Sequence, residues 1–102
     1  MKHLTQTTWE VAQGREGDFI KVCRRSTQIH QRLGAEKVLL LNNVAGPGHT
    51  MTYVCSFPDA VALGAFLEAL PSDDDWRALG GEFVSDPPAR MVSQHITQDL
   101  FS

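Results

Sequence analysis

The sequence has two cysteines, one tyrosine and no apolar run long enough to cross a bilayer. Two cysteines are too few for a disulfide framework. Cys23 and Cys55 each fall inside a predicted regular element, where a free thiol acts as a small buried hydrophobe. Positive charge is also scarce. Nine Lys and Arg face twelve Asp and Glu, for a net charge of −3, which gives no electrostatic case for nucleic acid. The densest basic cluster, Lys21, Arg24 and Arg25, reads as a solvated helix face. The first ten residues have no apolar segment of the signal-peptide kind. These absences point to a reducing, cytoplasmic setting without membrane or nucleic-acid partners. No HxH, HExxH or CxxC spacing occurs, and no glycine loop fits a phosphate, so no metal or other cofactor is expected.

What is present is an ordinary globular balance: 42% apolar and 21% charged residues over 102 positions, one domain's worth of chain. Residues 4–12 are rich in β-branched and aromatic types and predict a first strand. Gly14 and Gly17 interrupt it. A helix is predicted from Asp18 to Leu33, closed by Gly34. Its apolar stripe holds Phe19, Val22, Cys23, Ile29 and Leu33, together with Ser26 and His30. Lys37–Ala45 predicts a second strand, and Gly46-Pro47-Gly48 predicts a turn into a third, His49–Phe57. On that strand Met51, Tyr53, Cys55 and Phe57 share a face.

A second helix, opening at Pro58 and running to Leu70, is apolar almost all round, which implies cover on more than one side. A short helix follows, with Ser72 as N-cap and Gly80-Gly81 as its end. Trp76 and Leu79 would pin it to the body. After Pro87-Pro88, residues 89–101 predict a last strand with Val92, Ile96 and Leu100 on one face. The order β-α-β-β-α-(α)-β is ferredoxin-like: α+β, one domain over 1–102, with a four-stranded antiparallel sheet and helices on one face.

The second strand, KVLLLNNVAG, is apolar on both sides. Val38, Leu40 and Val44 oppose Leu39 and Leu41, so helices on one face leave large aliphatics on the other. Such a patch normally marks an interface. A second copy, sheet against sheet, is the simplest cover and predicts a homodimer.

Several local words strengthen this reading. They are Trp9 and Val11 before Gly14, Phe19 opening the helix, Gly34-Ala35, Gly46-Pro47-Gly48, SFPDA at 56–60 and DDDWRAL at 73–79. With the element order and the double-sided strand, the chain resembles the dimeric α+β barrel superfamily, in particular NIPSNAP-like proteins. These words are turns, caps and core anchors, so the likeness speaks to fold. It implies a range of activities: cofactor-free antibiotic-biosynthesis monooxygenases, haem-degrading enzymes, lactone isomerases and proteins without assigned chemistry. The haem-degrading type relies on an Asn in the first strand, and none occurs here.

His30 stands out among residues able to carry chemistry. It lies mid-stripe on the first helix, one turn after Ser26, facing the space between helix and sheet. It is either a base or ligand-binding donor, or a buried histidine bonded to a neighbour. Trp9 and Tyr53 are strand aromatics with polar tips that could line a pocket there. Asn42, on a strand apolar on both faces, needs partners: a ligand, a dimer mate or water at a strand end. The leading expectation is a homodimer holding a small apolar molecule between sheet and helices, with Trp9, Ser26, Tyr53 and Asn42 as ligand contacts. A cofactor-independent monooxygenase acting on an aromatic substrate, with His30 as base, is the alternative. A pocketless assembly module is the third.

Overall fold

Strand-forming β-branched runs alternate with amphipathic helices, and the computed structural model, which describes residues 1–102, arranges them as the order demands. Four strands are present: β1 (His3–Val11), β2 (Lys37–Asn42), β3 (Thr50–Phe57) and β4 (Ala89–Gln98). The helices are α1 (Glu16–Arg32), α2 (Ala60–Ala69) and α3 (Asp74–Ser85), with a 3-10 turn over Leu70–Ser72. The sheet runs β2-β3-β1-β4 and every pairing is antiparallel. No helix is long and apolar enough to cross a membrane.

Pairing fixes the two faces. Thr5 stands beside Cys55, Thr7 beside Tyr53 and Trp9 beside Met51. Val38 stands beside Cys55 and Leu40 beside Tyr53. All belong to the side that the helices cover, and the core lies there around Phe57, Phe19 and Cys55. The predicted α1 stripe is the buried one: Phe19, Cys23, Ser26, Ile29 and His30. Leu4, Leu39, Leu41 and Val54 lie on the opposite face, among Thr8, Thr52 and Ser93.

Four expectations change. The β2–β3 connection is a seven-residue loop, 43–49, because β2 ends at Asn42. Gly46 and His49 both take positive φ there, and the Asn43 amide donates to the Pro47 carbonyl at 3.0 Å. Second, Asp73 and not Ser72 caps α3, accepting from the Trp76 backbone N–H at 3.0 Å. That helix then runs straight through Gly80-Gly81 to Ser85. Tertiary burial of Leu79 and half-burial of Phe83 override the weak helix propensity of two glycines. Pro87 stops it by restricting the preceding Asp86.

Third, α2 is buried only through Leu63 and Phe66, and Val61 is 81% exposed, so its all-round apolar surface lacks a second cover within the chain. Fourth, Val92, Ile96 and Leu100 do not share a face. Between Thr8 and Trp9 the β4 partner jumps from Ser93 to Met91, so Val92 is the extra residue of a bulge. Ile96, beside Thr5, turns to the helix side, and Leu100 lies in a turn beyond the strand.

Gly81 is exposed, mid-helix, and a Cβ there would meet no atom within 4 Å. Gly81→Ala should therefore stabilise the protein by about 0.5–1 kcal/mol, read as a higher urea midpoint with an unchanged slope. A loss of stability would mean α3 does not continue past Gly80.

Candidate functional site

Antiparallel register and α1 periodicity bring side chains from every element except β2 to one place. From β1 come Thr5, Thr7 and Trp9, and from β3 Tyr53 and Cys55. The α1 stripe adds Phe19, Cys23, Ser26 and His30, α2 adds Phe66, and α3 adds Trp76, Leu79 and Phe83. They enclose a cavity of about 270 Å³. Its lining contains no Asp, Glu, Lys or Arg. Leu67, Val84, Met91 and Gln94 belong to the lining yet are exposed, so the cavity opens between β4 and the α2–α3 side.

His30 is the polar centre of the wall and only 6% exposed. Its Nδ1 lies 2.8 Å from the Tyr53 hydroxyl and 3.7 Å from Cys55 Sγ. The Thr27 hydroxyl donates to the Cys23 carbonyl at 2.8 Å, leaving Tyr53 a choice between Nδ1 and Thr27 Oγ1 at 3.4 Å. The phenol is a stronger donor than a neutral imidazole N–H, and Nδ1 is the nearer acceptor. A thiol is likewise a better donor than acceptor. On this ground we assign Nδ1 as the acceptor, which puts the ring proton on Nε2. That atom is the one buried side-chain polar atom without a hydrogen-bond partner. Leaving such an atom unpaired costs about 1–3 kcal/mol.

Aromatic rings pack around the imidazole. Trp76 is 4.9 Å away between centroids, Phe66 5.3 Å and Tyr53 5.4 Å. Burial in this cage pushes the His30 pKa down to about 4. The same desolvation raises the Tyr53 hydroxyl and lifts the Cys55 and Cys23 thiols to about 11 and about 12. Every ionisable group in the wall is therefore neutral at pH 7.

Trp9, Ser26, His30 and Tyr53 are brought together as the sequence suggested. Their polar tips differ in use. The Trp9 indole N–H donates to Thr7 Oγ1 at 3.1 Å, and the Tyr53 hydroxyl is committed to His30, so neither is free for a ligand. Asn42 is the exception. It lies exposed at the end of edge strand β2, opposite Met51, outside the cavity wall. The parity that puts it on the covered face is right, but the strand end lies beyond the helices' reach. His49 is in the hairpin loop and His95 pairs with Gln6 on the open face. No three His, Cys, Asp or Glu side chains come close enough to hold a metal ion.

Sequence reasoning missed Phe66 and Phe83 in the wall. Trp76, Leu79 and Phe83 repeat at helical spacing, but ending the helix at Gly80-Gly81 cut Phe83 off. A row of ion pairs holds α3 against α1. Arg15 pairs with Asp86 at 2.9 Å, Arg25 with Glu82 at 2.6 Å, and Arg32 with Asp73 at 2.8 Å. The Arg32 guanidinium and the Trp76 N–H lower the Asp73 carboxyl pKa, and Arg25 lowers that of Glu82. Ascending positions on the α1 side, Arg15, Arg25 and Arg32, meet descending ones on the α3 side, Asp86, Glu82 and Asp73, so the two helices run antiparallel.

No protein-family model matches the chain, and no curated protein does. Solved structures do. A NIPSNAP domain protein from Burkholderia xenovorans superposes with a TM-score of 0.74 at 17% identity, over 100% of this chain and 98% of the other. The chain has the NIPSNAP fold. A NIPSNAP family protein of unknown function from Agrobacterium tumefaciens gives a TM-score of 0.73 at 12% identity, over 96% and 87%. SnoaB, a cofactor-independent oxygenase from Streptomyces nogalater, gives 0.72 at 12% identity, over 96% and 92%. The same β-α-β-β-α-α-β frame thus serves both the NIPSNAP proteins and an oxygenase, and the fold by itself assigns no activity.

The depressed His30 pKa has a consequence for stability. In the unfolded chain the ring takes a proton as pH falls through its ordinary value of 6.5, whereas the folded protein resists until about 4. Stability is therefore full above 6.5 and drains between 6.5 and 4, by about 3 kcal/mol at most. Urea midpoints measured from pH 7.5 to 4.5 should fall across that window, and His30→Phe should flatten the fall. An equal slope in both proteins would contradict the buried, neutral ring.

Proposed function

We propose that the protein is a homodimer in which each copy holds a small, neutral, apolar molecule in the cavity between sheet and helices. The observation that carries this is the cavity itself: about 270 Å³, uncharged, largely aromatic and open at one side. Ligand sites are concave, mainly apolar and furnished with a few placed polar groups, which describes this one at the small end of the range. The pocketless assembly module does not account for such a space in a domain of this size.

The homodimer finds support on the opposite face. Leu39 and Leu41 are 40% and 48% exposed there, beside Leu4 and Val54. Thr8 and Thr52 satisfy one another across strands at 3.2 Å. Charges on this face, Lys37, Glu10 and Arg90, stand towards the strand ends, and Glu10 and Arg90 pair with each other at 3.4 Å. A second copy would bury an uncharged centre with a charged rim, the usual interface pattern. Light scattering at micromolar concentration should give twice the 11.3 kDa chain mass. Leu41→Glu should shift it to the monomer value, and a wild-type monomer would overturn the dimer.

Binding is tested with 1-aminoanthracene, a neutral fluorophore that brightens in apolar surroundings. Gly80 lines the cavity, and a Cβ there would meet no atom within 4 Å. Saturable binding at one site per chain is expected. Gly80→Leu should fill the space and weaken binding at least about tenfold while the fold persists. Unchanged binding in that variant would place the fluorophore elsewhere.

One observation favours a second reading, cofactor-independent oxygenation of an electron-rich aromatic: the shared frame with SnoaB. His30 beside Tyr53 would then be the base. The low His30 pKa makes it a weak one, which is why binding is preferred. Oxygen uptake with hydroquinones, lost in His30→Ala while the dimer persists, would favour the oxygenase.

A further inference from the structure

The polar groups of the wall can be accounted for one by one. Thr7 Oγ1 accepts from Trp9 Nε1 at 3.1 Å. The Tyr53 hydroxyl is held between His30 and Thr27. Thr5 stands beside the Cys55 thiol, and Gln94 stands at the exposed mouth. His30 Nε2 has no partner, but less than 1 Å² of it is accessible, so no ligand atom reaches it.

One polar atom is left. Ser26 lies on the buried α1 stripe, only 8% exposed, and its side chain ends in a single oxygen. A serine inside a helix commonly returns its hydroxyl to the carbonyl four residues back. Thr27, the next residue, does so to Cys23 at 2.8 Å. Ser26 makes no hydrogen bond within the protein. His30 Nε2 is the only unpartnered side-chain nitrogen or oxygen of a buried residue that is sealed off. The Ser26 oxygen is therefore unpartnered yet open, and the space its side chain borders is the cavity.

A hydroxyl has no tautomer to fix. It rotates, so its proton follows whichever acceptor arrives. No carboxylate and no guanidinium or ammonium group borders the space. An ion of either sign would enter without a counter-charge and lose its hydration to an apolar wall. A plain hydrocarbon would fit but leave the hydroxyl unserved. An uncharged apolar molecule with one acceptor oxygen meets both conditions.

We propose that Ser26 is the polar anchor of the cavity, its hydroxyl donating to a single carbonyl or hydroxyl oxygen on an otherwise apolar, uncharged ligand. The anchor rests on the binding role proposed above and specifies its chemistry. It also sets ligand binding against stability at one position. Alanine there would have the better helix propensity and would leave no buried hydroxyl unserved. A serine kept for structure has the opposite signature.

The test compares 1-tetralone with its hydrocarbon, tetralin, and with 1-naphthoate as the anion, on the wild type and Ser26→Ala. By calorimetry the variant should bind 1-tetralone about three- to tenfold more weakly than the wild type and tetralin equally well. Neither protein should bind the carboxylate measurably. The infrared carbonyl stretch of bound 1-tetralone should lie at higher wavenumber in Ser26→Ala than in the wild type. Without ligand, Ser26→Ala should have the higher urea midpoint. Equal 1-tetralone affinity in the two proteins, or an unmoved stretch, would overturn the anchor while leaving a binding cavity in place. A lower midpoint, or failure of Ser26→Ala to fold, would mark the hydroxyl as structural and overturn it too. Measurable binding of 1-naphthoate would overturn the selection of uncharged ligands. If neither 1-tetralone nor tetralin binds the wild type, the binding role falls and the anchor with it.

Discussion

The hydrogen bond from the Tyr53 hydroxyl to His30 Nδ1, 2.8 Å long, is the contact on which the site depends. It joins the sheet to α1 through the middle of an otherwise apolar layer. An imidazole in such a place is tolerated only if its polar atoms are served, and this bond serves one of the two. With Nδ1 engaged, the ring cannot swing away from the wall. With desolvation holding it neutral, it stands as a dipole with its proton on the far nitrogen. The aromatic cage of Phe66, Trp76 and Tyr53, the neutral wall and the unpaired donor all follow from that placement.

A cavity in a domain this small also needs a wall that does not collapse inward. That wall is α3. Its large residues, Trp76 and Phe83, are braced at the edges, Trp76 on His30 and Phe83 on Trp9, whose ring centroids lie 5.5 Å apart. Between them Gly80 contributes no side chain. The arginine row on α1 sets the helix in register from outside, where each exposed pair adds little energy but all pull in the same sense. Space is thus kept by the spacing of bulky residues and by one missing side chain.

Much of this was legible in the sequence wherever a period was long enough to read. The α1 stripe put Ser26 and His30 on the buried face, and the alternation on β3 put Tyr53 and Cys55 opposite them. The element order gave the ferredoxin-like layout. What could not be read were the places where tertiary contacts override a local rule. Gly80-Gly81 looks like a helix end, yet Leu79 and Phe83 carry α3 past it. The β4 bulge at Val92 shifts the register by one residue, which no alternation pattern in that strand reveals. Asn42 has the right parity for the site but sits past the last residue that a helix covers. The apolar surface of α2 implied a cover that its own chain does not supply.

The central claim is that His30 is a neutral, tethered ring with its proton on Nε2, and nitrogen-15 NMR of histidine-labelled protein tests it most directly. The account predicts a single Nε2–H tautomer from pH 8 to pH 5, titrating only near 4, and a shift to mixed tautomers in Tyr53→Phe. A ring that titrates near 6.5, or that interconverts between tautomers in the wild type, would contradict it.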